Sequence, residues 1–100
     1  MDCTPPNAAI AVAEAQQALA DTVLIELELG LTFLDVAANT RERKHAQRSV
    51  NHAITALRTA NRFLSQIQPG TADIDLIEQR RKQLARRLGA ICGVDVLAAR

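Results

Sequence analysis

One hundred residues, with 18 Ala, 12 Leu, two Phe and neither Trp nor Tyr, suit a single helical domain with a modest core; a β-protein would want more aromatic and β-branched residues. A net charge of +1 excludes strong bulk attraction to nucleic acid or to an acidic membrane surface. No apolar run approaches the length of a membrane-spanning helix, and the start Met-Asp-Cys-Thr-Pro-Pro lacks the positive region of a secretory signal, so cytoplasmic residence is the expectation.

Residues 1–7 read as a short arm ending in the helix-start signal Pro5-Pro6-Asn7. The first helix is predicted over about 8–39. Every seventh residue from 14 to 42 is acidic: Glu14, Asp21, Glu28, Asp35 and Glu42. Steps of seven stay on one side of an α-helix, drifting by only ~20° each. Opposite this column lies an apolar stripe, Ile10, Ala13, Ala20, Leu24, Leu27, Leu31, Leu34 and Ala38, broken by Gln17. Ile25, Leu27, Leu29, Leu31 and Phe33 also alternate as a strand would, but the surrounding helical pattern outweighs them. A kink or fresh start at Asp21-Thr22 is the other way to break this long segment.

Asn39-Thr40 supplies the next punctuation, Asn as a stop and Thr as an N-cap. The second helix is predicted over about 41–67, with Ala46, Val50, Ala53, Leu57, Ala60, Leu64 and Ile67 inward, and Pro69-Gly70 ends it. The third is predicted over about 72–92, with Ile74, Ile77, Leu84, Leu88 and Ile91 inward and acids preceding bases, as the helix dipole favours. Residues 94–100 form a tail. Short connections imply an all-α, antiparallel three-helix bundle with a long first helix. Cys3 and Cys92 then lie at opposite poles, too far apart for a disulfide, which predicts two free thiols.

Charge divides the first two helices. Residues 8–40 hold five acids and no base, whereas residues 41–67 hold six bases and one acid. Arg41, Arg43 and Lys44 crowd a helix N-terminus, where the dipole opposes cations, and Arg48 extends the cluster. Asp35 and Glu42 are the expected partners in an ion-paired corner. Glu26, at the edge of the apolar face, is expected to meet Arg58 or Arg81. Glu42 and His45 have the Glu-x-x-His spacing of di-iron bundles, but no acid of helix 1 lies level with them, so no metal or cofactor is expected. His45, His52, Ser49 and Ser65 have no acid–base partner in view, and no Gly-rich phosphate loop is present. The chain is therefore read as not an enzyme.

Leu29-Gly30-x-x-Phe33 followed by Ala53-x-x-x-Leu57-x-x-Ala60 resembles the helix pair of a tetratricopeptide repeat, with a longer interval between the halves. The run HAITALRTANRFLSQI and the basic helix after it, over residues 52–91, are similar to the microtubule-interacting-and-trafficking domain. Both resemblances imply a binding scaffold that docks helices. The expected function is accordingly a non-catalytic helical interaction or self-association module, whose partner is another protein helix or a second copy. Ile10, Val12 and Leu19, on an overhanging stretch 8–20, would be covered in a homodimer. The candidate partner-binding residues are Glu14, Asp21 and Glu28 on the wet edge of helix 1, and Arg41, Arg43, Lys44 and Arg48 at the start of helix 2. The alternative is a small nucleic-acid-associated protein using the bases of helices 2 and 3.

Overall fold

The computed structural model describes residues 6–71 and 73–92, side chains excepted at Pro6, Asn7 and Cys92. Three helices follow in order: α1 over Pro6–Asn39, α2 over Arg43–Leu64 and α3 over Ile74–Cys92. Contacts fix their directions. The start of α2 lies beside the end of α1, where His52 stacks on Phe33 at 4.9 Å between ring centres. At the other end of α2, the Gln68 amide donates to Gln16 Oε1 at 2.7 Å. Helices α1 and α2 are therefore antiparallel. Gln17 Nε2 donates to Asp73 Oδ2 at 3.5 Å, and Arg87 donates to Asp35 Oδ1 at 2.8 Å, so α3 runs parallel to α1. The result is an up-down-up bundle measuring 63 × 22 × 17 Å.

The core is aliphatic. Val23, Leu27 and Leu34 of α1 meet Leu57 of α2 and Ile77, Leu84 and Leu88 of α3, all fully buried. Each such side chain contributes roughly 1.5–3 kcal/mol by leaving water. Small residues set the helix spacing. A Cβ placed on Gly30 would sit 2.7 Å from Leu84 Cδ2 and 3.2 Å from Ala56 Cβ, so the bare backbone of α1 is what lets all three helices converge.

Helix ends differ from expectation in instructive ways. α1 begins at Pro6, a first-turn position where proline's missing N–H costs nothing, and it runs unbroken through Asp21-Thr22. It stops at Asn39 as expected. α2 starts at Arg43 with Glu42, not Thr40, in the capping position. Its backbone is extended there and Ala46 N–H reaches Glu42 O at 2.9 Å, while Thr40 Oγ1 stands 3.5 Å from His45 Nδ1 instead. α2 ends at Leu64, because the next amides, of Gln66 and Ile67, bond three residues back in a tightened turn. Ile67 remains buried although it has left the helix. Gly70, at φ +87, turns the chain in the left-handed conformation that glycine adopts without strain, and α3 begins at Ile74.

Burial also corrects the expected stripes. On α1, Val23 and Gly30 join Ala20, Leu27 and Leu34 in the core, whereas Ile10, Ala13 and Ala38 are exposed. On α3, Ile91 is 54 % exposed, although it was expected to face inward. The overhang is shorter than residues 8–20. Gln16 already ties to the α2–α3 connection, Leu19 is half-buried and Ala20 is buried by the chain's own helices. Residues 9–15, with Ile10 and Val12 among them, are the exposed stretch. The expectations for residues 1–5, for the tail 94–100 and for the thiols of Cys3 and Cys92 lie outside the described residues and side chains.

Candidate docking surfaces

Glu14, Asp21 and Glu28 are all exposed along one edge of α1, a line of about 21 Å at 1.5 Å per residue. Asp21 accepts a hydrogen bond from Gln17 Nε2 one turn earlier, at 2.9 Å. Arg41, Arg43, Lys44 and Arg48 are exposed at the opposite end of the molecule, around the α1–α2 corner. The fold does not bring the two candidate groups together. Asp35, the acid nearest that corner, turns to Arg87 of α3 instead of Arg41, Arg43 or Lys44, because α3 runs alongside the end of α1. No acid of the described residues lies within ion-pair distance of the four corner bases. Glu42, at the cap of α2, sets its negative charge beside the helix N-terminus and favours the dipole those cations oppose.

Glu26 is half-buried but pairs with neither expected cation. Arg58 faces water, and Arg81 bonds Glu78 one turn back at 2.6 Å. Arg81 Nε–H is buried without an acceptor. Asn61, Leu64 and Ser65 line an open groove of about 220 Å³ beside this pair. Glu42 and His45 are both exposed, and among the described residues no three His, Cys, Asp or Glu side chains gather closely enough to hold a metal.

A larger and more apolar groove, about 360 Å³, opens at the corner. Leu34, Ala37, Ala46, Val50 and Ile91 line it together with Arg43 and Arg87. Alanine at positions 37, 38 and 46 leaves room for it.

The surface that sequence periodicity left unseen lies on α1 itself. Ile25, Leu29 and Val36 are 63, 44 and 38 % exposed, at spacings of four and seven residues. Ala18, Thr22 and Thr32 fill the same line at alternating four and three, and all three are exposed. The threonine hydroxyls do not face water unpaired: Thr22 Oγ1 donates to Ala18 O at 2.9 Å and Thr32 Oγ1 to Glu28 O at 3.0 Å. The line is thus uncharged throughout, and its polar hydrogens are satisfied within the helix. Asp21, Glu28 and Asp35 each immediately precede a member of it, so the acidic column is its border. The strand-like alternation of residues 25–33 now has a cause. Leu27 and Leu31 turn towards the bundle while Ile25 and Leu29 turn away from it, since α1 has two apolar faces.

No helix among the described residues is long and apolar enough to cross a membrane. No family model, curated protein or solved structure matches the chain.

Proposed function

We propose that this protein is a non-catalytic helical interaction module that docks a helix of another protein, or of a second copy, on the outward side of α1, in the cytoplasm. The observation that carries this reading is where exposed large aliphatic side chains fall. Ile10, Val12, Ile25, Leu29 and Val36 all belong to α1, and outside α1 the described residues add Ile91 alone. Scattered exposed aliphatics need no explanation, but Ile25, Leu29 and Val36 align on the outward face of α1, and such alignment marks an interaction surface. A photo-crosslinking residue placed at Leu29 in cells should give discrete protein adducts, whereas one at Gln83, exposed on α3, should not. Equal labelling at the two positions, or none at either, would count against the proposal.

A second reading rests on the corner bases. Arg41, Arg43, Lys44 and Arg48 are exposed and take no ion-pair partner among the described residues, which leaves them free to meet phosphates. A salt series distinguishes it: duplex DNA or RNA bound at low salt and released steeply as salt rises supports nucleic-acid association, and no binding at low salt removes it.

A further inference from the structure

The geometry points to a helix bordered by lysine and arginine as the occupant of the outward face of α1, in preference to a second copy of this chain; the inference rests on the docking function proposed above. Alternating steps of four and three from Ala18 to Val36 are the spacing with which one helix meets another along a supercoiled seam. At 1.5 Å per residue the line spans about 27 Å, enough for a partner helix of roughly five turns. Ile25 and Leu29, at its middle, supply the apolar area. Thr22 and Thr32 add only methyl groups to it, because their hydroxyls already donate to the helix backbone.

Charge selects the partner. The residues immediately before Ala15, Thr22, Leu29 and Val36 are Glu14, Asp21, Glu28 and Asp35, the position from which a seam's flanking charges reach across to the other helix. All four are acidic. Asp35 is shared with Arg87, and Glu14, Asp21 and Glu28 have no cation within ion-pair distance among the described residues. The opposite flank, Val12, Leu19, Glu26 and Phe33, holds no base. Two copies related by a two-fold axis would meet badly on this face. Antiparallel seams would set one acidic column against the other, and parallel seams would set it against Leu19, Glu26 and Phe33. In neither arrangement does α1, which holds no Lys or Arg, set a cation against the column. A partner helix with apolar seam positions and Lys or Arg beside them supplies both kinds of contact.

The test uses the full chain and two designed helical peptides of three heptads, identical in leucine seam and differing only in flanking lysine or glutamate. The Lys-flanked peptide should bind at least roughly ten-fold tighter than the Glu-flanked one. The exposed double substitution Ile25→Gln/Leu29→Gln should weaken the Lys-flanked peptide by about ten-fold or more without changing helicity or melting. Glu14→Lys/Asp21→Lys/Glu28→Lys should invert the preference between the peptides. Equal binding of both peptides, or a Lys-flanked peptide indifferent to the double glutamine, would overturn the inference. If neither peptide binds and the chain instead self-associates through Ile25 and Leu29, the basic partner is wrong and the docking function stands. If neither peptide binds, the chain is monomeric and Leu29 yields no crosslinks, both fall.

Discussion

The two apolar faces of α1 carry similar side chains and have opposite fates. Towards the bundle, Val23, Leu27 and Leu34 lose all contact with water; away from it, Ile25, Leu29 and Val36 keep much of theirs. Hydrophobicity does not separate them. What separates them is the company each face keeps. The inward face contains Gly30, whose bare backbone lets α2 and α3 approach, while the outward face is edged by carboxylates that a core would have to bury. A helix with two greasy sides therefore needs only one of them to fold.

That contrast can be broken by substitution. The largest expected effect is on the inward face: Leu27→Ala should cost about 2–5 kcal/mol in urea unfolding, from lost burial plus a cavity. Gly30→Val comes next, at about 1–3 kcal/mol, since its side chain would collide with Leu84 and Ala56 where the three helices converge. Gln16→Ala tests where the inward face begins. Losing its bond to the Gln68 amide should cost about 1 kcal/mol and raise amide exchange at Gln68. On the outward face Leu29→Ala should stay within about 0.5 kcal/mol of the parent, read by the same unfolding curves. Asp35→Asn should likewise move stability by no more than about 0.5 kcal/mol, because the exposed pair with Arg87 is screened by water. A Leu29→Ala loss comparable to that of Leu27→Ala would mean that the outward face is part of the folding core after all.

Much of this architecture could be read from the chain. Three helices, the break at Pro69-Gly70, the Asn39 stop and most of the inward positions of α2 follow from periodicity and turn chemistry, which are local. What escaped depends on neighbours. Gly30 looks like a weak point in a helix until Leu84 is found against it. Asp35 could have met any of several cations, and only the path of α3 selects Arg87. By position Glu26 could meet Arg58 or Arg81, but Arg58 faces water, and Glu78 stands one turn from Arg81 on the same helix and reaches it first. The outward line was legible in principle. Its four-three spacing and its acidic border are sequence features, masked because the inward stripe alone already satisfies the pattern of a half-buried helix.

The most direct test of two faces with two fates is to titrate the Lys-flanked peptide into isotope-labelled protein and follow backbone amide signals by NMR. Docking on the outward face predicts shifts concentrated at Thr22, Ile25, Leu29, Thr32 and Val36, with the exposed side of α3, including Lys82 and Gln83, unmoved. Shifts confined to the corner bases Arg43, Lys44 and Arg48, or spread evenly over the three helices, would contradict it.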